Sequence, residues 1–499
     1  MEWTEVAIGI FVLTIGLYYW LTSTFDFWTS RGVPGPSPKP LFGNLSDVVF
    51  GKMALAEYFK IEYQAHRNEK MCGIFLRKKP ALVLIDPDLI KDVLIRDFST
   101  FPNRAVKLTE EIDPLFDHLF NIDAPRWRPL RSQLSPIFSS GKLKKMFYLL
   151  LDCGKSLEKY LAQVTLKNGT VECRDLAAKY TIDVIGSCVF GLQTNALMDE
   201  NSEFLKIGKE IFKTDWKMMA RHRMREFAPW LYYLLKPLLV DWKIANFFLK
   251  TMRDTVEYRK KNQIVKHDFI DLIIKLKDNP DKIDDIEFTD LLLTCQLYVF
   301  FAAGFETSGT TLSHVLYELA QHQTIQDKLR DDINQPLAES KGEMTYEEIK
   351  SIKYLHMVIQ ETLRKYPSGP FLMRTATEQY SFLGTKVTIP KGTDVIIPVY
   401  AIHTDPRIYP KPEVFDPERF TDEAIKARHP MNWLAFGDGP RNCIGGRFAY
   451  YQLKIGLITI LQNYRVEICD KTQIPYVIDR RNIILMPAHD IYVKMTNLN

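Results

Sequence analysis

Phe436-Gly-Asp-Gly-Pro-Arg-Asn-Cys-Ile-Gly445, followed at once by a helical run from Arg447, is the stretch on which the rest of the sequence turns. A cysteine that serves as a metal ligand must be a thiolate, and a thiolate needs a lowered pKa. The positive end of a helix and backbone N–H groups turned toward the sulfur provide one. Glycines at 437, 439, 445 and 446 let the backbone turn and come close where a side chain would collide. Arg441, two residues before Cys443, sets a cation where it can meet an anionic group of a ligand. A buried structural cysteine in a glycine-rich loop is the competing reading. A zinc site fits worse, because no second cysteine or histidine stands at ligand spacing.

Moving outward, Ala303-Gly-Phe-Glu-Thr-Ser308 lies inside a helix predicted over Asp290–Gln323. A threonine there can bond back to the carbonyl of an earlier turn and loosen the ladder. Gly304 leaves room for a small ligand such as oxygen. Glu306 and Thr307 put an acid beside an alcohol, a pairing suited to passing protons. A carboxylate in so apolar a helix is costly unless it has a partner or a task, which favours function over an incidental kink. Glu361-Thr-Leu-Arg364 sets a carboxylate and a guanidinium at i, i+3 of a helix. Trp127-Arg-Pro-Leu-Arg131 sets an indole and a guanidinium four apart, and Pro129 suggests that this helix begins close by.

Together these stretches resemble the cytochrome P-450 superfamily. Phe436, Gly439, Arg441, Cys443 and Gly445 match its F-x-x-G-x-R-x-C-x-G signature, and residues 303–308 look like its A/G-G-x-D/E-T-T/S. Glu361 and Arg364 match E-x-x-R, Pro417-Glu-Arg-Phe420 the later P-E-R-F-like segment, and Trp127 with Arg131 W-x-x-x-R. The resemblance implies a mainly α fold with small β-sheets, the cytochrome P-450 fold behind an N-terminal transmembrane anchor helix. It implies haem b (iron protoporphyrin IX) held through the sulfur of Cys443, with Trp127, Arg131, Arg374, Arg441 and Arg104 toward the propionates. It makes Ala303, Gly304, Glu306 and Thr307 the oxygen- and proton-handling residues, and Glu361, Arg364 and Arg419 a structural triad. The implied activity is monooxygenation, one atom of O2 going into a lipophilic small molecule. The resemblance further implies electrons from NADPH through a flavoprotein reductase, with cytochrome b5 as a candidate second donor. The cluster Tyr366-Pro-Ser-Gly-Pro370 with Arg374 looks most like the insect microsomal branch that oxidises xenobiotics, plant toxins and insecticides; an endogenous lipid or hormone is the alternative substrate. Two rival readings are a haem-thiolate isomerase or dehydratase that needs no reductase, and a non-enzymatic carrier of haem or lipophiles. The Glu306–Thr307 pair argues against both.

Composition sets the frame. The 499 residues are 46% hydrophobic and 25% charged, enough apolar surface for a large core. With 65 basic and 61 acidic residues the net charge is +4, which gives no case for nucleic acid as a partner. The seven cysteines are scattered and odd in number, which points away from a disulfide framework and toward a reducing compartment. From Val6 to Phe25 no charge occurs over about 20 residues, the length of a membrane span. Trp3, Trp20 and Trp28 stand like interfacial aromatics. Glu2 and Glu5 precede the run while Arg31, Lys39 and Lys52 follow it, which orients the N-terminus to the lumen of the endoplasmic reticulum and the body to the cytosol. A cleaved signal peptide would want a basic start and a small-residue cleavage site, and neither is present. The organisation expected is a membrane anchor over 1–30 and a haem-binding monooxygenase domain over 31–499. Pro34-Gly-Pro-Ser-Pro-Lys-Pro40 forms a stiff arm between them.

In the body, strand patterns pair Gly73–Lys79 with Ala81–Ile85, Lys386–Ile389 with Asp394–Pro398 across Pro390-Lys-Gly392, and Ile483–Met486 with Asp490–Met495. Helical periodicity runs over Gly141–Leu166, Thr251–Lys277, Asp290–Gln323, Thr345–Tyr366 and Arg447–Gln462. Leu291–Gly304 is nearly all apolar yet too short to span a bilayer, so it reads as a buried core helix. Phe116, Phe120, Phe300, Phe301, Phe305, Phe371 and Leu485 are candidates for an apolar substrate pocket, each of them equally a candidate for core packing. Phe227–Phe248 reads as a segment that dips into the membrane or as an ordinary packed helix pair. Arg126, Arg128, Lys142, Lys144 and Lys145 form a basic face suited to an acidic reductase, or a solvated surface.

Overall fold

A computed structural model describes residues 3–105, 113–213, 220–221, 224, 228–239, 242–278, 286–339 and 344–498. The apolar N-terminal run forms α1 (Trp3–Thr22), none of whose residues is buried and which is long and apolar enough to cross a membrane. Trp3 and Trp20 are exposed. Trp28, expected beside them at an interface, is instead 2% exposed and donates from Nε1 to the Ile74 carbonyl at 2.9 Å. A buried indole N–H needs such a partner, and the strand edge supplies one. The proline arm is therefore docked rather than free. The Pro34 carbonyl accepts from Gly73 N at 2.8 Å, and the Pro36 carbonyl accepts from Asn44 Nδ2 at 3.1 Å.

Among the described residues the body is helical with three small sheets. Among the helices are α2 (Leu55–Ala65), α3 (Ala124–Leu134), α4 (Ser140–Thr165), α5 (Cys173–Ile185), α6 (Trp242–Asn262), α7 (Phe269–Asp278), α8 (Asp290–Gln321), α9 (Lys353–Lys365) and α10 (Gly446–Asn463). The strands are β1 (Met71–Leu76), β2 (Lys79–Leu84), β3 (Thr170–Glu172), β4 (Leu372–Thr375), β5 (Tyr380–Ser381), β6 (Thr388–Ile389), β7 (Asp394–Ile397), β8 (Tyr464–Glu467) and β9 (Tyr492–Asn497). They assemble as β1-β2-β7-β4, β3-β9-β8 and β5-β6.

Two expected hairpins are corrected. Thr388–Ile389 does not pair across Pro390-Lys-Gly392; it pairs with Tyr380–Ser381, while β7 lies parallel to β2 and antiparallel to β4. β7 is buried throughout, so it needs neighbours on both edges, and a short hairpin cannot provide them. Ile483–Met486 is not a strand. β9 takes β3 and β8 as partners instead. Two expected helices are also divided. Thr251–Lys277 breaks between α6 and α7, where Gln263 and His267 adopt positive φ and the buried Arg259 pairs with Asp268 and Asp271. Thr345–Tyr366 breaks at Ile352 into Tyr346–Ser351 and α9.

α8 has the place its apolarity demands. Its 32 residues run about 48 Å at the usual rise, beginning at Thr289, whose hydroxyl accepts from Leu292 N at 3.1 Å. It packs along α5 and against α6, α9 and α10, in the larger of two apolar clusters. The second cluster gathers around the four-stranded sheet and includes Tyr58, Cys72, Phe101 and Ile396.

Candidate functional site

The loop before α10 is built to present one sulfur. Cys443 N donates to the Phe436 carbonyl at 2.9 Å and closes the loop. Gly439 sits at φ +73°, and a Cβ there would lie 1.9 Å from the Leu94 carbonyl oxygen, so no side chain fits. The Cys443 side chain borders open space although protein surrounds it on every side, as for a group lining an internal cavity. Burial pushes its thiol up. The backbone N–H groups of Gly445 and Gly446, at the start of α10, act in the opposite sense, as do the Arg131 and Arg104 guanidiniums.

Around this sulfur the chain gathers four cations. Arg104 lies within electrostatic reach of Arg374, Arg441, Arg131 and Cys443, and burial with its arginine neighbours holds it well below the usual range. Arg374 and Arg441 are each 2% exposed. Burial lowers them to about 10 and about 9 respectively. Arg441 donates to the Ile122 carbonyl at 2.7 Å and lies 4.5 Å over the Trp127 ring; Arg104 donates to the Arg441 carbonyl at 3.1 Å. Arg131 donates to Asn442 Oδ1 at 2.9 Å. Among the described residues none of the four makes an ion pair, and the Nε atoms of Arg374 and Arg441 have no partner. Gathering like charges without pairing any of them to a carboxylate is expensive. The arrangement is complete only with an anionic ligand. A flat dianion carrying a metal that takes sulfur, which is what an iron porphyrin with two propionates is, fits these donors. α3, which brings Trp127 and Arg131, starts at Ala124 rather than beside Pro129. Pro129 lies within it, and Asn103 Oδ1 accepts from Ala124 N at 2.8 Å.

The second group of expected site residues lies on α8. Along this mostly buried helix Val299, Ala303 and Thr307 retain exposure, Ala303 the most of the three. Thr307 Oγ1 donates to the Ala303 carbonyl at 2.6 Å, the back-bond anticipated from sequence. Two readings are corrected. Gly304 does not open space for a ligand, because a Cβ there would meet Ile185 Cδ1 at 2.5 Å; its bareness lets α5 pack close, and the open side is at Ala303. Glu306 and Thr307 do not present acid and alcohol to one side, since successive helical residues face different ways. Glu306 is 4% exposed, accepts from Arg174 Nη2 at 2.8 Å and from Thr310 Oγ1 at 3.4 Å. Arg174 had no sequence signal: it stands 132 residues from Glu306. Ser368 was missed likewise. Its hydroxyl donates to the Thr307 carbonyl at 3.4 Å.

Glu361, Arg364 and Arg419 are brought together. Arg364 donates to both Glu361 oxygens, at 2.6 and 2.8 Å, and Arg419 Nε lies 3.5 Å from Glu361 Oε1. The pocket candidates scatter. Phe300, Phe301 and Phe305 are buried, with Phe300 against Phe138 and Phe269, Phe301 against Phe190 and Phe248, and Phe305 against Phe212. Leu485 is buried as well, and Phe371 packs edge-on to Phe59. Phe116 stacks on His118, while Phe120 is half exposed beneath the Arg104 guanidinium. Of the basic face, Arg126 is paired with Asp117 and Lys144 with Glu347. Within 227–248, Phe227, Val240 and Asp241 lie outside the described residues. Trp230, Leu234 and Leu238 are exposed on the helix Pro229–Leu239.

Known proteins carry the same arrangement of sequence. A family model described as "Cytochrome P450" matches residues 33–495. Cytochrome P450 6a2 of Drosophila melanogaster is 40% identical over 497 residues, covering 97% of each chain. Cytochrome P450 6A1 of Musca domestica is 37% identical over 497 residues, covering 98% of this chain and 97% of its own. Cytochrome P450 6j1 of Blattella germanica is 37% identical over 495 residues, covering 99% and 98%.

Proposed function

This chain belongs to the cytochrome P450 family and is a haem-iron monooxygenase; we propose that it inserts one oxygen atom into lipophilic foreign compounds at a membrane surface, with electrons drawn from NADPH through a reductase. The observation that carries the reading is the convergence of Cys443 with four guanidiniums that make no ion pair among the described residues. Cys443 would hold the iron, and Arg104, Arg131, Arg374 and Arg441, with Trp127, would receive the propionates. When bound, the haem supplies the activation of O2 and its transfer to a C–H bond.

The chain's own part is position and protons. Gly445 and Gly446 N–H favour the thiolate against the burial that disfavours it. The side chain of Ala303 is small enough to leave space beside the Thr307 hydroxyl, which holds a proton at Oγ1. Glu306, buried on the same helix and tied to the partly exposed Arg174, can pass protons inward when the pair loosens. The exposed apolar surfaces of α1 and of Trp230, Leu234 and Leu238 support attachment to the endoplasmic reticulum membrane with the body in the cytosol. A lipophilic substrate would then arrive from the bilayer.

The test is the absorption spectrum of the reduced, carbon monoxide-bound protein beside Cys443→Ala. The strongly red-shifted Soret band of thiolate-bound haem is expected in the wild type and absent from the variant. An unshifted band in a folded wild type overturns the assignment. With reductase and NADPH, Thr307→Ala is expected to lower product formed per NADPH by about 100-fold.

A further inference from the structure

A second cluster of metal-ligating groups lies outside that site, in the apolar cluster around the four-stranded sheet. α2 carries Tyr58 and Glu62 one turn apart, and His66 caps its C-terminus, so the three form one stripe. β1 brings up Cys72. One donor atom from each of Glu62, His66 and Cys72 lies within 4.8 Å of the other two. We propose that these three side chains form a binding site for one zinc-type divalent cation that fastens α2 to β1.

Three observations point to a ligand. Glu62 and Cys72 are 8% and 0% exposed, where a carboxylate would ordinarily be given a partner. Among the described residues the only basic side chain within 4 Å of the Glu62 carboxylate is His66 at 3.7 Å, and the Cys72 sulfur finds only the Gly73 carbonyl, at 3.9 Å. Independently, the Tyr58 hydroxyl is in a residue 6% exposed, has no hydrogen-bond partner, and faces Glu62 and Cys72.

The donor set selects the ion. Sulfur, imidazole and carboxylate together suit zinc, whereas calcium and magnesium take oxygen alone. Bonds of about 2.0–2.3 Å to a tetrahedral ion put its ligands roughly 3.5 Å apart, so side-chain torsions need close about 1 Å. Three protein ligands leave a fourth position for water, and the Tyr58 hydroxyl is placed to hydrogen-bond it. Binding releases the thiol proton of Cys72 to solvent and involves no redox change. His66 is half buried and gives the ion a path inward.

The experiment uses the full-length, haem-loaded protein in detergent, equilibrated with zinc sulfate and freed of excess by gel filtration. Zinc and iron are counted on the same sample by mass spectrometry, and the zinc K-edge fine structure is recorded. One zinc per haem iron is expected, with one sulfur at about 2.3 Å and lighter donors at about 2.0–2.1 Å. His66→Ala and Cys72→Ser should each lose the zinc and keep the iron. Zinc no higher than in His66→Ala, zinc unaffected by Cys72→Ser, or a shell without sulfur overturns the proposal. The iron count reports separately on the haem reading.

Discussion

Arg364 and Arg374 are equally buried and only ten residues apart, yet their surroundings are opposite. Arg364 is fully satisfied by both oxygens of Glu361 and by the carbonyls of His403 and Pro412, at 2.6 to 2.9 Å. Arg374 donates to the Met373 carbonyl next to it, its Nε has no partner, and its neighbours toward the cavity are other cations. The first environment is closed: the chain has provided every counter-group. The second is open, and its charge is answered only by something the chain does not encode. The difference separates a structural arginine from a ligand-binding one without reference to sequence motifs.

The largest effect is expected on the open side. Cys443→Ala removes the sulfur that would hold the iron, and the red-shifted carbon monoxide band and substrate oxidation should both vanish, read from the spectrum and from product analysis. On the closed side, Arg364→Ala leaves Glu361 buried and 0% exposed without its main partner. Stranding one member of a buried pair costs about 3–5 kcal/mol. The urea midpoint should fall accordingly, whether or not haem is bound. A variant as stable as wild type would mean that Arg419 and the Asp416 N–H, 2.9 Å from Glu361 Oε1, suffice alone.

The two sides were not equally legible in the sequence. Glu361 and Arg364 sit three apart on one helix, and such a pair is written in its spacing. The Cys443 loop was legible for a similar reason, since glycines and a helix start are local features. Long apolar periodicity likewise gave α4, α8 and α10 nearly to their ends. What failed depended on contacts between distant segments. The buried Arg259–Asp268 pair breaks a continuous helical pattern, and β7 chooses β2 and β4 over its nearest neighbour in the chain. Gly304 looked like space for a ligand because nothing local announces Ile185. Glu306 looked free because Arg174 approaches from another helix.

The contrast sharpens with Arg374→Met, a swap that keeps bulk and removes charge. If this arginine serves the cofactor, the cost falls on haem retention and not on the fold. Losing a charge-assisted bond worth about 1.5–3 kcal/mol should speed haem transfer to an acceptor apoprotein at least about tenfold. Global stability should change little, because a buried cation without a carboxylate contributes nothing the methionine lacks. Equal losses of stability for Arg374→Met and Arg364→Met would erase the distinction between the two sides.

The smallest effect concerns how the closed side depends on pH. His403, whose carbonyl takes a bond from Arg364, is 0% exposed, and its Nε2 accepts from Leu434 N at 2.9 Å. That nitrogen must stay unprotonated. Burial first, and the Arg364 charge next, lower the ring to about 3 from an ordinary 6.5. Below pH 6.5 the unfolded chain therefore takes a proton that the folded chain refuses, so stability is complete above 6.5 and falls as pH drops toward 3. The slope from this one ring is up to about 1.4 kcal/mol per pH unit. His403→Gln can still accept from Leu434 through its amide oxygen but cannot titrate. Its urea midpoint, followed by the Soret band, should fall less than that of wild type between pH 7 and 5.5. Identical falls would mean that the other histidines pushed down by burial, His118, His314 and His356, set the acid limit, and that the Glu361–Arg364 region is insensitive to its own histidine.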